Sequence, residues 1–308
     1  MEALANNFQV LFQGLALGSI YALVALGFVL IIRATNVVNF AQGDFAMLGG
    51  YAMVLFLVGM PGNPDLHLPG VEIALPYWLA IVLTVVVMAA IGLAFNYGVY
   101  YPLRNRSFLP VLISTLGASI FLQNTVLALF NPQPRPLDKL LPVDGVTVGG
   151  VFLDSQYLVI LAFTIAAVGF QYFLFERTLL GKKLQAVSQD KDMARLLGIP
   201  VSLMIIITFV YSAVLGGLAG VLVSPILFVS IGLGSAIALK AFAATIIGGT
   251  ALSGGSGSIL GAILGALIIA LIQNGLALLA VPPAWSTAVT GIVIIVAVTL
   301  DYFIKRRT

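Results

Sequence analysis

The sequence predicts an all-α fold, a polytopic membrane bundle of about eight to ten transmembrane helices. Of its 308 residues, 61% are hydrophobic and 8% are charged, whereas about 25% of the residues of a typical soluble domain are charged. So few charges cannot cover a soluble surface, but a bilayer accommodates an apolar exterior. The apolar residues also form runs close to the roughly 20 residues that one spanning helix needs. A single transmembrane domain over residues 1–308 is therefore expected.

Nine apolar segments, separated by polar or Pro/Gly-rich turns, are the predicted spans. The second begins in polar residues and the seventh is short, so either could be a partial or re-entrant span. The nine segments are 8–32, 37–59, 76–100, 108–130, 156–175, 202–223, 236–252, 258–280 and 286–303.

The positive charges predict the orientation of the chain. With the N-terminus outside, 11 of the 14 lysines and arginines fall on the opposite side of the membrane. By the positive-inside rule that side is the cytoplasm, so we expect a multi-pass protein of a bacterial inner membrane with a cytoplasmic C-terminus. Losing one span as a re-entrant segment would flip one end. The 11 cations are Arg33, Arg104, Arg106, Arg177, Lys182, Lys183, Lys191, Arg195, Lys305, Arg306 and Arg307.

Several classes of protein are excluded by what the sequence lacks. It has no cysteine and one histidine, His67, in a loop, so neither a disulfide nor a thiolate or His-based metal site is expected. No phosphate-binding loop, potassium-channel filter or H-E-x-x-H motif is present. The start of the chain carries Glu2 and no basic residue, which does not predict a cleaved signal peptide. We expect no enzymatic activity and no cofactor.

The strongest candidate for a solute path lies between the first two segments. A carboxylate at Asp44 within a span would cost about 2.5–3.5 kcal/mol, and such groups usually face the bundle interior or a water-filled cavity. The neighbouring Gly43 indicates a broken helix that lines such a cavity. The alternative is a polar turn at the cytoplasmic surface, with Arg33 paired to Asp44. Asn39 and Gln42 are the better candidates, because uncharged amides need no counter-ion. The polar residues of this region are Arg33, Thr35, Asn36, Asn39, Gln42 and Asp44.

Five other polar residues within spans are further path candidates. Gln123 and Asn124 lie late in the fourth span, Gln273 and Asn274 lie late in the eighth, and Ser114 lies early in the fourth. The alternative for the amides is hydrogen bonding between helices, worth about 0.6 kcal/mol on average, and a hydroxyl usually bonds to its own helix. The two Gln-Asn pairs could mark an internal repeat or be a coincidence.

Features outside the candidate path are predicted to be structural. Lys240, near the start of the seventh segment, is expected to snorkel outward. The proline-rich stretch 131–150 is expected to be an ordered external loop, and 253–258 a flexible turn. Glycines spaced four residues apart within the spans favour close helix packing.

The long cytoplasmic loop 176–200 has a helical pattern. Apolar residues recur at roughly helical spacing between charges, and Gly198 and Pro200 supply a stop signal. One or two short amphipathic helices on the cytoplasmic surface are therefore predicted. Their apolar stripe consists of Leu184, Val187, Met193, Ala194 and Leu197.

Several motifs then carry a resemblance over nearly the whole chain. They are G-L-A-L-G-S-I-Y-A-L-V-A-L-G at 14–27, N-V-V-N-F-A-Q-G-D-F-A-M-L-G-G-Y at 36–51, Y-P-L-R at 101–104, S-T-L-G-A-S-I-F-L-Q-N at 114–124, G-K-K-L-Q-A-V-S-Q-D-K-D-M-A-R-L-L-G-I at 181–199, K-A-F-A-A-T-I-I-G-G at 240–249 and G-S-I-L-G-A-I-L-G at 257–265. With these motifs the chain resembles the permease family of branched-chain amino acid ABC importers. The segment 273–283 is also similar to sugar ABC permeases, such as those for ribose.

The resemblance implies a complex of two homologous permease subunits, two cytoplasmic ABC ATPases and an extracytoplasmic solute-binding protein. This chain would form half of the path for branched-chain or other apolar amino acids, although relatives carry urea, amides and aromatic acids. The resemblance also implies that 181–199 is the ATPase-docking segment, and that an arginine at Ala194 disrupts docking while leaving the membrane fold intact. The implied docking residues are Ser188, Asp190, Met193, Ala194, Leu197 and Gly198.

Two other classes of function compete with an ATP-driven importer. One is a self-sufficient secondary transporter or channel for a small polar solute, with Asp44 as its proton or ion site. The other is a membrane scaffold that binds a partner through 182–198 and conducts nothing. The importer is favoured, because it alone explains both the polar path and the charged amphipathic segment.

Overall fold

The computed structural model describes residues 2–61, 70–131, 133–148, 151–250 and 257–305. His67 and residues 253–256 of the predicted flexible turn lie outside these ranges. Within them the chain forms eleven α-helices and one β-hairpin. The helices are α1 (Glu2–Thr35), α2 (Gln42–Leu57), α3 (Tyr77–Phe95), α4 (Phe108–Phe130), α5 (Ser155–Arg177), α6 (Leu179–Gln189), α7 (Lys191–Leu196), α8 (Val201–Leu227), α9 (Ile231–Ile247), α10 (Ile259–Leu278) and α11 (Pro283–Lys305).

Each of the nine predicted spans corresponds to one helix. Helix α9 is shifted along the chain, because it begins at Ile231 and not near residue 236 as predicted. Gly232, Gly234 and Ser235 dilute the apolar signal there, but Gly234 lets the first turn of α9 pack against another helix. Lys240 is consequently the tenth residue of α9 and not near its start, so the reason for expecting it to snorkel outward is wrong.

The fold is that of a polytopic helical membrane protein. By length and composition, six helices of the described chain can cross a membrane: α1, α3 with the turns that extend it to Leu103, α4, α5, α8 and α10. Helices α2 and α9 are shorter, with 16 and 17 residues. At 1.5 Å per residue each is about 25 Å long, less than the roughly 30 Å of the hydrocarbon core. These lengths agree with the prediction that the second and the seventh segment could each be a partial span.

The helices fall into two halves that pack in the same way. In each half a long helix (α1 or α8) is followed by a short one (α2 or α9) and then by two long ones. The long helix α1 lies antiparallel to α10, and α8 lies antiparallel to α3; the short helix of each half runs parallel to the long helix of the other. Because α1 and α8 are themselves antiparallel, the two halves form an inverted repeat.

This repeat is not the one that the two Gln-Asn pairs suggested. The packing makes α3 equivalent to α10 and α4 equivalent to α11. Gln123 and Asn124 lie in α4, whereas Gln273 and Asn274 lie in α10. The two pairs therefore occupy different positions of the repeat, and their similarity is a coincidence.

Helices α1 and α8 form the interior of the bundle. In their most apolar 18-residue windows, 89% and 67% of the residues are buried, compared with 17% for α4 and 22% for α5. The outer helices instead expose large apolar side chains such as Phe121 and Ile165. An exterior of this kind suits contact with lipid or with another membrane subunit.

The stretch 131–150 leads into a hairpin that the sequence did not predict. Strands β1 (Gly145–Val148) and β2 (Val151–Asp154) pair antiparallel, with Gly145 opposite Asp154. Lys139 forms an ion pair with Asp154 at 2.7 Å. The hairpin and this ion pair fix the end of the stretch next to α5, while its external placement stays a prediction.

Candidate functional site

The short helices α2 and α9 begin at the same place in the bundle. A Cβ atom added to Gly43 would lie 2.3 Å from the carbonyl oxygen of Gly234, and one added to Gly234 would lie 2.8 Å from that of Gly43. Only glycine permits this approach of two backbones.

The start of α2 lies deep within the bundle. Gln42 bonds to Ser212, which is the twelfth residue of α8 and about 17 Å from its first residue at 1.5 Å per residue. The chain from 36 to 41 therefore runs as non-helical backbone into the bundle. This arrangement supports the broken helix that Gly43 predicted.

A cavity of about 210 Å³ opens where α2 and α9 meet; we call it the central cavity. Aromatic and aliphatic side chains form most of its wall, and one carboxylate, one amide and two hydroxyls supply its polar groups. Its lining consists of Phe28, Phe40, Gly43, Asp44, Leu116, Ser119, Gln123, Gly234, Ser235, Ala238, Leu239 and Phe242.

Asp44 is the charged group of the central cavity and is 2% exposed. Its Oδ1 accepts a hydrogen bond of 2.9 Å from Nε2 of Gln123, which also donates to Ser119 at 3.2 Å. Its Oδ2 is buried and has no hydrogen-bond partner among the described residues. Since Asp44 lies in the first turn of α2, the positive end of the helix dipole favours a negative charge there. One oxygen of this carboxyl group is therefore unsatisfied within the described chain.

The competing placement of Asp44 in a surface turn is wrong. Within the described chain no ion pair joins Arg33 to Asp44. Arg33 instead lines a small cleft with Gln185 and Ser188, at the far end of α1. The two residues thus lie in different environments.

Asn39 and Gln42, the two preferred candidates, do not line the central cavity. Gln42 is fully buried; its Nε2 donates to the Ser212 carbonyl at 3.4 Å and its Oε1 accepts from the Ser212 hydroxyl at 2.8 Å. Asn39 is 1% exposed, and its Oδ1 accepts from the backbone N–H of Ala41, which closes a turn. The Gln42 amide and the amide oxygen of Asn39 thus bond to the protein itself and shape the entry into α2, while Nδ2 of Asn39 has no partner among the described residues.

Three other candidates also lie away from the central cavity. Asn36 ends α1 with φ 63°, a left-handed conformation that asparagine tolerates. The Ser114 hydroxyl donates to the carbonyl of Val99, and the Asn124 amide donates to the carbonyl of Ile120 in its own helix.

Gln273 and Asn274 line a second cavity, of about 480 Å³. Gln273 donates to Thr290 of α11, and Asn274 donates to the Val10 carbonyl of α1. These are the bonds between helices that were the alternative to a path role.

Sequence reasoning did not identify the apolar wall of the central cavity. Phe28 and Phe40 line the cavity, and Phe242 contacts both rings at centroid distances of 5.7 and 6.1 Å. Ser235, Ala238, Leu239 and Phe242 recur at helical spacing on one face of α9. That spacing was the available signal, but it was hidden within an apolar helix.

The predicted docking segment forms two short helices, α6 and α7, as its pattern indicated. Asp190 separates them, and its carboxylate accepts from the backbone N–H groups of Asp192 and Met193. Gly198, with φ 76°, follows α7, and α8 begins after Pro200.

Some apolar residues of this segment pack into the protein and others are exposed. Leu184, Val187 and Ala194 are buried in the protein, Ala194 to 2% exposure. Ser188 is also buried, and its hydroxyl donates to the Gln185 carbonyl. The expectation that an arginine at Ala194 leaves the fold intact is therefore wrong, because no space exists for it. The exposed apolar residues are Met193, Leu196 and Leu197.

Lys191 connects the docking segment to α1. Its Nζ donates to the carbonyl oxygen of Thr35 at 3.1 Å, and this carbonyl belongs to the last turn of α1. Burial lowers the pKa of Lys191, and the nearby Arg195 lowers it further, while Asp192 opposes the shift. A movement of α7 would thus reach α1 and the chain that enters α2.

Comparison with known proteins gives one consistent family. Residues 10–298 match the family described as branched-chain amino acid transport system / permease component. The chain is 31% identical to the high-affinity branched-chain amino acid transport system permease protein BraD of Pseudomonas aeruginosa, over 89% of this chain and 87% of that protein. It is 30% identical to the corresponding protein LivH of Escherichia coli K12, over 86% and 84%.

A sugar permease also matches over part of the chain. The xylose transport system permease protein XylH of Escherichia coli K12 is 33% identical over 53% of this chain and 42% of that protein. No solved structure gives a significant match.

Proposed function

The chain belongs to the family of branched-chain amino acid transport system permease components, and we propose that it forms half of the path for branched-chain or other apolar amino acids. It is a membrane permease subunit of an ABC transporter, a class in which a separate subunit hydrolyses ATP. The observation that carries the proposed substrate is a single buried carboxylate within a mostly apolar cavity.

The chemistry of the central cavity matches an apolar amino acid. The unpartnered Oδ2 of Asp44 suits an ammonium group, because a buried carboxylate oxygen gains most from a charged donor. Phe28, Phe40 and Phe242 suit a branched aliphatic side chain, since they provide apolar surface without further polar groups. A sugar would need a hydrogen-bonding group for most of its hydroxyls, and this lining supplies few.

The same proposal covers the partners and the orientation. The family works with ATPase and binding-protein subunits; for this chain we propose a second homologous permease, two cytoplasmic ATPases and an extracytoplasmic binding protein. The segment 181–199 docks on an ATPase, with Met193, Leu196 and Leu197 in contact.

The N-terminus lies outside and the C-terminus in the cytoplasm, which agrees with the 11 cations counted on one side. The single transmembrane domain 1–308 contains this docking segment.

The test is uptake by the complete transporter in proteoliposomes. The variant Asp44→Asn keeps the size of the side chain and removes its charge. Losing a charged hydrogen bond is worth about 1.5–3 kcal/mol, so we expect ATP-driven uptake of labelled leucine to fall about 10- to 100-fold. Glu176→Gln is the matched control: it also removes one carboxylate, from an exposed ion pair with Lys182, and should transport normally.

The outcomes separate the proposal from its competitors. Normal leucine uptake by Asp44→Asn would contradict the role of the central cavity. Uptake driven by a proton gradient without ATP would support a secondary transporter. Transport of xylose in preference to leucine would leave the permease assignment standing and overturn the substrate class.

A further inference from the structure

Lys240 is a cation in the middle of α9 that has no acidic partner among the described residues. It is the tenth of 17 residues, and none of the ion pairs formed by the described residues includes it. Its Nζ donates to the Tyr21 hydroxyl at 3.1 Å and lies 5.1 Å from the centroid of the Tyr21 ring. An ammonium has three donors, and a neutral hydroxyl and a ring face do not neutralise its charge. An uncompensated cation within a membrane helix is costly and is usually retained for a function.

The second cavity opens beside this ammonium, and we call it the Lys240 cavity. Its volume of about 480 Å³ is more than twice that of the central cavity, and the two share no lining residue. Gln273, Asn274 and Ser286 give it polar surface, while Leu17 and Val281 give it apolar surface. A cation beside mixed polar and apolar surface suits an amphipathic anion.

The Lys240 ammonium and the Tyr21 hydroxyl together offer two hydrogen-bond donors to a ligand. Because the Tyr21 oxygen accepts from Lys240, the Tyr21 hydroxyl keeps its own hydrogen for a second acceptor. The other two hydrogens of the ammonium are not used by the described residues. The amides of Gln273 and Asn274 are held by α11 and α1, so the surrounding wall is fixed before a ligand arrives.

We propose that the Lys240 cavity binds one oxyanion group, either the carboxylate of a small amphipathic molecule or the phosphate of a lipid headgroup. Lys240 provides the charge and Tyr21 the second hydrogen bond. The central cavity has the opposite preference, since its charged group is the carboxylate of Asp44. The chain therefore has two sites of opposite charge, and this second site does not depend on which solute is transported.

The experiment measures binding to the full-length chain in nanodiscs. The first arm titrates 4-methylpentanoate, a branched aliphatic carboxylate, into phosphatidylcholine nanodiscs and follows binding by calorimetry. The second arm adds phosphatidylglycerol to the nanodiscs and counts retained anionic lipids by native mass spectrometry. A carboxylate signal identifies a small molecule as the source of the oxyanion, and a lipid signal identifies a headgroup.

The variants make the result specific to Lys240. Removing one charged hydrogen bond predicts at least about 10-fold weaker binding for Lys240→Gln in the arm where the wild type binds. Lys240→Arg keeps the charge and should bind within about 3-fold, which also shows that the site tolerates substitution. Tyr21→Phe should bind more weakly than the wild type but more tightly than Lys240→Gln. Arg177→Gln, which removes an exposed cation outside the docking segment, is the matched control and should bind normally.

The proposal is overturned if wild-type protein binds neither probe, or if Lys240→Gln binds as well as the wild type. Binding of 3-methylbutylamine, the amine of the same branched skeleton, is expected at Asp44 of the central cavity; if Lys240→Gln weakened it as much as it weakens carboxylate binding, the proposal would also be overturned. If uptake of leucine fails while Lys240-dependent binding persists, the proposed substrate is wrong and the oxyanion site stands.

Discussion

At the scale of single residues, neighbouring side chains have opposite environments. Gln42 and Asp44 are two positions apart in α2, and 3.6 residues per turn place them on opposite sides of the helix. Gln42 bonds to Ser212 in the interior, whereas Asp44 bonds to Gln123 beside the central cavity. The same holds in α7, where Ala194 is 2% exposed and Leu196 is 81% exposed. A role assigned to a short motif must therefore be resolved residue by residue.

The docking segment gives a prediction at this scale. Leu196→Arg places a charge on an exposed apolar surface, so it should reduce co-purification of the ATPase at least about 10-fold, since an apolar contact buried at an interface is worth about 1.5–3 kcal/mol. The permease itself should fold normally, because the leucine makes little contact with its own chain.

Two other arginine variants complete that test. Leu179→Arg changes an equally exposed leucine outside the docking residues and should leave co-purification unchanged. Ala194→Arg should lower the yield of the permease, because its site is filled. Full ATPase recovery with Leu196→Arg would exclude this surface as the docking site.

At the scale of elements, glycine sets the distance between α2 and α8. A Cβ atom on Gly49 would lie 2.2 Å from the carbonyl oxygen of Gly217, and one on Gly220 would lie 1.8 Å from that of Ala46. Backbone atoms cannot move aside as side chains do. This contact holds the start of α2 deep in the bundle, and with it the position of Asp44.

The prediction for this element is that Gly49→Ala destabilises the protein. Overpacking of a helix contact costs about 1–3 kcal/mol, and occasionally more, so the melting temperature in detergent should fall by several degrees. Gly117→Ala is the control, because nothing lies within 4 Å of a Cβ at that position of α4; alanine favours helix there. Equal melting temperatures for the two variants would show that α2 and α8 do not pack this closely.

At the scale of the whole molecule, the inverted repeat brings the first turns of α2 and α9 together. Neither half of the chain contains the central cavity by itself, because α2 and α4 supply Asp44 and Gln123 while α9 supplies Ser235 and Phe242. The outer helices leave large apolar side chains exposed. These surfaces suit the lipid and the second permease that we propose.

The orientation gives a prediction for the whole chain. It contains no cysteine, so single cysteines report the side of the membrane directly. In intact spheroplasts, Val143→Cys in the loop before the hairpin should react with an impermeant maleimide. Lys183→Cys in α6 should react only after permeabilisation, since its loop carries the cytoplasmic cations. Labelling in the reverse order would invert the orientation.

Much of the fold could be predicted from the sequence, because each of the nine apolar runs corresponds to one helix. In a bilayer, a spanning segment must satisfy its own backbone groups, so a long apolar run becomes a helix whatever its neighbours are. The two short helices of the docking segment could also be predicted, since its alternation of leucine and charge has a helical period. Gly43 also indicated the break at the start of α2.

The assignment of polar residues to the site could not be predicted in this way. In a soluble helix the polar face points outward, but here lipid and helix interior are both apolar, so the sequence pattern does not reveal which face of α2 or α9 meets the cavity. Asp44 and Gln123, 79 positions apart, meet only because α4 packs beside the start of α2. The sequence by itself thus determined the helices and their membrane character, whereas helix packing decided which of the polar groups face a ligand.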